Sequence, residues 1–484
     1  MAMIPIQSKY PDRAGYLGLD TDRNIVKVFS DGIFISVNLD NVNNVKDFGA
    51  KGNGISDDTN AIQKALDNRN IVYIPTGTYL TTQPLIVKSN TIIIGEGFNN
   101  SIIKNTTSDV FQIVDDPGVP PTNPTLTKYS DNIVFESIQI QGDISQASIK
   151  NVNETGTYNP SPSPYVGINA GTSAYWERGL ISNVNIQGFD IAIKGSLRDT
   201  KVLVFHSTLW YNNTGYFLNA GSHSTFIESE ARWCLNGIVS NGNIEDMQIT
   251  HSKFNYVHFA INIPTIRNMF LSNVQLFGII EKGITSNTIN GLFISNGLFV
   301  PRQILIVPNI YAIEAPTIKN SVISNCHYYY RPYSPISYFT TAIKADNIEN
   351  TTISNNRFQT NKGIHITNSV KGLNISNNHF ITKTAIDINS STNKVKALNI
   401  NSNNIDSTDC EDTAIIKVIS QSTANNNFSI INNFINSNDN NTIYAIETYG
   451  DFNIISGNVS YATKGLHDLS SSSINGIIKD NMFN

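Results

Sequence analysis

The sequence predicts an all-β fold, a right-handed parallel β-helix solenoid behind a short N-terminal capping helix. Three observations predict it: a repeat of 22–24 residues along most of the chain, apolar and largely β-branched residues at fixed places in each repeat, and a polar surface of Asn, Ser and Thr. Charged residues make up 15% of the 484, against roughly 25% in an ordinary globular chain. Asn tolerates left-handed backbone angles and bonds neighbouring amides, which suits short strands joined by tight corners.

The period is read from one recurring core position. Ile181, Val204, Phe226, Ile249, Leu271 and Ile294 follow at steps of 23, 22, 23, 22 and 23. Ile323, Ile353, Ile375, Ile400, Ile430, Ile454 and Ile477 continue at 29, 30, 22, 25, 30, 24 and 23, the longer steps holding insertions. Local texts repeat too, as in Thr352-Ile-Ser-Asn-Asn-Arg-Phe358 and Asn374-Ile-Ser-Asn-Asn-His-Phe380. Each unit reads as a strand, an Asn corner, a second strand, and a third strand after a small residue, as in Gly237-Ile238, Gly363-Ile364, Ala385-Ile386 and Gly465-Leu466. One coil cannot bury its inner face, whereas stacked coils bury it together, with Asn and Ser side chains bonding along the axis. Leucine-rich repeats share the unit length, but their Leu-x-x-Leu-x-Leu signature is missing.

Three regions follow from this pattern. Residues 1–44 form a leader, with a hairpin over Val26–Ser36 turning at Asp31-Gly32. Residues 45–104 form a cap and the first coils: a strand, a Gly-rich turn, and a helix capped by Asp57 or Asp58 with Ala61, Ile62, Ala65 and Leu66 on one face. Residues 105–484 form the solenoid, interrupted by loops at about 144–177, 300–311 and 327–341. The Gly-rich turn lacks the Gly-Lys-Ser/Thr ending of a phosphate loop, and the Asp57–Asp58 pair reads as helix capping rather than as catalytic carboxylates.

The cap segment resembles the N-terminal cap of the pectate-lyase-like superfamily, in the branch that includes bacteriophage tailspike depolymerases. The resemblance rests on Asp47, Phe48, Gly49, Ala50, Gly52, Gly54, Asp57, Asp58, Thr59, Ala61 and Ile62, then Pro75, Gly77 and Tyr79. It covers about sixty residues closely and the coils beyond by pattern alone. It implies a phage tailspike-type depolymerase that binds and cleaves a bacterial surface polysaccharide, capsule or O-antigen. It also implies a homotrimer on the virion, joined through the N-terminus to a phage tail, baseplate or adaptor protein and extracellular when acting. The family places a larger head before the cap, and none is legible here. The leader is therefore read as an attachment or stalk segment, of a truncated chain or of a spike docked on another tail protein. The last coil runs almost to Asn484, which leaves trimer contacts to the flanks of the solenoid.

Bulk properties exclude other classes. A formal net charge of −5 and the lack of a basic run give nucleic acid no footing. No 18-residue apolar run calls for membrane insertion, and no signal-peptide pattern opens the chain. Cys234, Cys326 and Cys410 stand far apart, without metal spacing, and read as buried free thiols. No metal ligand set or cofactor is expected.

Catalysis on a packed solenoid needs outward-facing side chains on adjacent coils, beside insertions that wall a groove. The segment His223–Trp233 carries Glu228, Glu230 and Arg232 at alternating positions, which in a strand share a face. Superposing coils sets His206 and His251 beside Glu228, Thr208 and Lys253 beside Glu230, and Trp210 and Asn255 beside Arg232, neighbours being about 4.8 Å apart. This is the densest ionisable and aromatic collection seen in a charge-poor sequence. Paired carboxylates repel, so one becomes a general acid and the other a nucleophile or base. Glycosidic hydrolysis needs such a pair, roughly 5–5.5 Å apart for retention and 6.5–9.5 Å for inversion. Glu228 and Glu230 are the expected catalytic pair, leaning to the shorter class. Arg232, His206, Trp210, His251 and Lys253 are expected to bind substrate. Trp176, Tyr328 and Tyr330, on the inserted loops, are expected to grip sugar rings or to pack a subunit interface. Glu177, Asp190, Glu245, Asp246 and Glu281 are further carboxylates that could complete a dyad. The competing structural reading is a charged ladder of Glu230 with Lys253 and Arg232. Two functional alternatives stay open: metal-independent β-elimination with His251 or Lys253 as base, and a carbohydrate-binding tail fibre or adhesin without catalysis.

Overall fold

The computed structural model describes residues 16–20, 25–30, 33–38, 42–68, 71–115, 130–143, 164–171, 175–196, 198–219, 223–302, 309–329, 339–390, 395–407, 410, 412–420, 427–437, 443–449, 453–462, 464–468 and 477–483. In the leader, Tyr16–Asp20, Ile25–Ser30 and Ile33–Asn38 form an antiparallel sheet in which Ser30 pairs with Ile33, while the expected turn residues Asp31 and Gly32 lie outside the described residues.

From Val42 onward the strands pair in parallel, each coil on the one before it. Three sheets run along the axis, each with one inward row. On the first sheet the predicted row is present: Ile181, Val204, Phe226, Ile249, Leu271, Ile294, Ile323, Ile353, Ile375, Ile400 and Ile430 are in register and almost fully buried. The last two predicted members are one residue off. Ile455, 1% exposed, pairs with Ile430 and then with Ile478, while Ile454 is 43% exposed. Each coil end here offers two consecutive isoleucines, and the choice is made by the corner asparagine three residues on.

Those corner asparagines form a continuous ladder. The amide N–H groups of Asn356, Asn378, Asn403, Asn433 and Asn458 donate to the Oδ1 of Asn378, Asn403, Asn433, Asn458 and Asn481 at 2.9–3.0 Å. Each Nδ2 in turn donates to the carbonyl of a core isoleucine in the preceding coil, as Asn403 does to Ile375 at 3.1 Å. Earlier coils use serine for the same bonds, through Ser207, Ser229 and Ser252. Buried backbone groups at each corner are thereby satisfied, as the interior requires.

The second sheet stacks Phe299, Tyr328, Phe358 and Phe380 face on face, with centroids 4.7 Å apart. The third carries the predicted row through Ile238, Ile364, Ile386 and Leu466. The small residue before each is a packing requirement: a Cβ on Gly237 would stand 2.5 Å from the carbonyl oxygen of Ala260 in the next coil.

At the N-terminal end the helix Thr59–Asn68 lays Ile62 and Ala65 on the core, with Ala61 and Leu66 at its margin. The two aspartates divide the work. Asp57 Oδ1 accepts from the Thr59 amide at 3.0 Å, whereas buried Asp58 accepts the Lys51 and Gly52 amides at 2.6 and 3.0 Å and ties the Gly-rich turn to the cap. Among the described residues no helix is long and apolar enough to cross a membrane.

Candidate functional site

Every coil bends at corners where one residue takes left-handed angles, and the residue types there single out three coils. At the first corner the series runs Asn183, His206, Glu228, His251, Asn273, Asn296, Asn325, Asn355 and Asn377, all at φ of 47–57°. At the second it runs Gly188, Tyr211, Trp233, Tyr256 and Gly278, at φ of 55–83°. Asparagine and glycine accept these angles readily. Bulky side chains held there cost about 1–3 kcal/mol each, and such strain gathers at functional sites. The coils of residues 203–256 therefore replace the tolerant residue at both corners, three times in succession.

The first corner builds a ridge. The amides of His206, Glu228 and His251 donate to the carbonyls of Ile227, Thr250 and Ser272, each at 3.0 Å, so the three residues stack on consecutive coils as the superposition anticipated. His251 is held from both sides, its Nε2 3.1 Å from Asn273 Nδ2 and its Nδ1 3.0 Å from Thr250 Oγ1. Glu228 is exposed on the ridge.

Beyond the corner lies the face of the second sheet. Thr208, Glu230 and Lys253 share one row, and Trp210, Arg232 and Asn255 the next. Glu230 is half-buried, and its Oε1 accepts from Asn255 Nδ2 at 3.1 Å. The Arg232 guanidinium lies 5.8 Å from the ring centroids of both Trp210 and Trp233. Lys253 Nζ stands 5.5 Å above Phe277, and Arg302 lies 4.8 Å above Tyr256. Trp233 and Tyr256 stack at 4.3 Å, and Phe277 meets Tyr256 edge-on. The buried Nε1 of Trp210, Nε of Arg232 and Oδ1 of Asn255 have no partner among the described residues. Aromatic rings with adjacent unsatisfied donors and acceptors suit a ligand with apolar ring faces and many hydroxyls.

Several expectations change. Glu228 and Glu230 do not lie in one strand: the left-handed residue at 228 breaks the alternation, and Ser229 between them points inward into the serine ladder. The anticipated charged ladder does not form, since Glu230 is bonded to Asn255 and the two cations sit on rings. Trp176 is fully buried, with Gly179 packed against its indole, and so is not an exposed sugar platform. Tyr328 is likewise buried, because it holds the core position of the second sheet between Phe299 and Phe358. Tyr330 lies outside the described residues. Among the other carboxylates, Asp190 accepts from Asn213, Glu281 pairs with His258, Glu245 with Arg267, and Asp246 faces His223 at 3.5 Å.

Sequence reasoning passed over Trp233, Tyr256, Phe277 and Arg302. Extending the superposition by one column would have found the aromatic corner. It also passed over a tighter ionic cluster on the third sheet. There Lys362 Nζ lies 3.1 Å from Asp387 and 2.9 Å from Asp412, and His365 Nδ1 lies 2.8 Å from Asp387. Burial opposes ionisation of Asp387, but the His365 and Lys362 contacts outweigh it and hold the carboxyl below its usual pKa. Asp387 follows His365 and Lys362 by 22 and 25 residues and Asp412 comes 25 later, on successive coils, so that Lys362 lies between two carboxylates. It reads as structural.

With this geometry in view, the likenesses to known proteins take their place. A family model described as "Rhamnogalacturonase A/epimerase, pectate lyase-like" matches residues 42–239. The pre-neck appendage protein of Bacillus phage phi29 is 32% identical over 102 residues, 20% of this chain and 11% of that protein. Alginate lyase 7 of Azotobacter vinelandii is 45% identical over 73 residues, 13% of this chain and 8% of its own length. The matched segments thus span about a tenth of the curated relatives' length. Among solved structures, the tailspike of E. coli bacteriophage HK620 superposes with a TM-score of 0.54 at 14% identity, covering 95% of this chain and 83% of that one. At such identity the likeness is one of fold, and it agrees with the cap and the coils. Residues 42–239 thus match a pectate-lyase-like family model, and the chain has a right-handed parallel β-helix fold that superposes on that of a phage tailspike.

Proposed function

We propose that the protein is a phage-tail polysaccharide depolymerase that hydrolyses glycosidic bonds on the coils of residues 203–256. The observation that carries this reading is the double replacement of tolerant corner residues, by His206, Glu228 and His251 on one ridge and by Tyr211, Trp233 and Tyr256 on the other. Strained bulky residues repeated on three coils have no packing purpose that the flanking Asn and Gly corners fail to serve. The names of the relatives support the substrate class, since they include a tailspike and an alginate lyase.

In this mechanism Glu230, oriented by Asn255, protonates the leaving oxygen. Glu228, on the ridge, activates a water. The left-handed corner at Glu228 takes the pair out of one strand, so we assign inversion at the anomeric carbon, which needs carboxyls roughly 6.5–9.5 Å apart with a water between them. The tighter retaining arrangement fits less well. Arg232 and Lys253 hold the chain, and Trp210 supplies an apolar edge. A second reading, β-elimination, draws on Lys253, whose amine has no carboxylate partner among the described residues and would take a sugar-ring proton. His251, whose Nε2 lies 3.1 Å from Asn273 Nδ2, is the alternative base.

The test is digestion of purified capsular polysaccharides in normal and ¹⁸O water, with mass spectrometry of the products. One ¹⁸O at each new reducing end is expected. Unsaturated products absorbing near 235 nm would transfer the assignment to a lyase. Glycan binding without any product would leave a recognition fibre.

A further inference from the structure

Several cations elsewhere on this protein are matched by carboxylates one coil away. Glu314 takes Lys282 and Lys344, Glu349 takes Lys319 and Lys371, Asp387 takes Lys362, Glu245 takes Arg267, and Asp131 takes Arg178. On the candidate face three cations come together without such a partner. Arg232, Lys253 and Arg302 form no ion pair among the described residues, in a chain whose formal net charge is −5. Each is seated on an aromatic ring instead. The two guanidinium groups lie at the ends of one stack, Arg232 beside Trp233, Trp233 on Tyr256, and Tyr256 under Arg302. A ring beneath a guanidinium fixes its plane and desolvates one side without neutralising it. Its free N–H groups then point where a two-oxygen anion would bind. The buried Arg232 Nε, without a partner, marks the same unfilled demand.

We propose that the polymer held on this face is an acidic polysaccharide, its anionic groups engaged by Arg232 and Arg302 at the two ends of the Trp233–Tyr256 pair, with Lys253 between them. This rests on the reading of the face as a glycan site but does not depend on cleavage. A neutral chain would leave three cations desolvated on rings without compensation, which a site selected for neutral sugars has no reason to keep.

The experiment is a binding array of purified capsular and O-chain polysaccharides, half bearing uronic acids or phosphodiesters and half neutral, probed with the full chain. Only acidic members are expected to be retained, more weakly as salt is raised. Carbodiimide–borohydride reduction of the uronic carboxyls should cut retention at least tenfold, while a retained phosphodiester polymer should be unaffected by it. Arg232→Gln and Arg302→Gln should each cut retention about tenfold, and Lys371→Gln, on another face, should not. Retention of a neutral polysaccharide, undiminished binding after carboxyl reduction of a uronic polymer, or retention of no acidic member overturns the proposal. Cleavage of a neutral glycan would refute this inference while sustaining the depolymerase. Salt-sensitive retention of acidic glycans with no product would do the reverse.

Discussion

Replacing Asn403 by alanine removes one rung of the corner ladder, and the structure sets the size of the effect. The side chain accepts the Asn378 amide at 3.0 Å and donates to the Ile375 carbonyl at 3.1 Å, both in buried surroundings. Its Nδ2 also reaches Asn433 Oδ1, but that oxygen keeps the Asn403 amide at 3.0 Å. Two backbone groups are therefore orphaned, at about 1–3 kcal/mol each, so Asn403→Ala should cost about 2–6 kcal/mol. Asn403→Ser provides the control. In the earlier coils the Ser229 hydroxyl accepts the Ser207 amide at 3.1 Å, while its single proton is shared between the Ile227 carbonyl at 2.8 Å and the Val204 carbonyl at 3.3 Å, so serine keeps the accepted bond and part of the donated one. Serine should thus recover at least half of the loss. Urea unfolding followed by circular dichroism measures both variants, the midpoint shift being converted through an unchanged slope. If alanine lies within 1 kcal/mol of wild type, or serine is no better than alanine, the ladder does not satisfy these groups in the way described.

Other outcomes follow from the same structure. Glu228→Asn, which restores the residue type of the neighbouring corners, should leave stability equal or higher by about 1 kcal/mol while abolishing glycan cleavage; lower stability in a melting experiment would show that Glu228 is structural. Ile455→Ala should cost about 2–5 kcal/mol and Ile454→Ala under about 0.5, and the reverse order would contradict the register of the last coils. Tyr328→Phe deletes a buried hydroxyl without a partner, so stability should be unchanged or higher by about 1 kcal/mol, with glycan binding intact; lost binding would return Tyr328 to the site. The Asp387 carboxyl is held below its ordinary pKa, so its contribution is present above the unfolded-state value near 3.8 and is lost as pH falls through the folded value. Asp387→Asn should accordingly flatten the acid limb of the stability–pH profile, and an unaltered limb would remove this cluster from the acid response.

The sequence alone determined the solenoid, because a coil's inward row recurs with its length and every coil must present the same apolar pattern to its neighbours. Val204, Phe226, Ile249 and their successors could be paired by counting, and so could the small-residue row before Ile238 and Ile364. Counting also stacked His206, Glu228 and His251 correctly, since period is all that stacking needs. It failed where two residues competed for one position, as with Ile454 and Ile455, where distant hydrogen bonds of Asn433, Asn458 and Asn481 choose. It failed again for Trp176 and Tyr328, because an aromatic beside an insertion reads alike whether its strand turns it inward or outward. Only the tertiary structure decided the site's electrostatics. Whether Arg232 and Lys253 meet Glu230 or settle on Trp210, Trp233 and Phe277 depends on a corner at Glu228 that redirects the chain by a few backbone angles. Spacing in the sequence carries no record of that turn, and the competing interactions differ by too little for composition to choose among them.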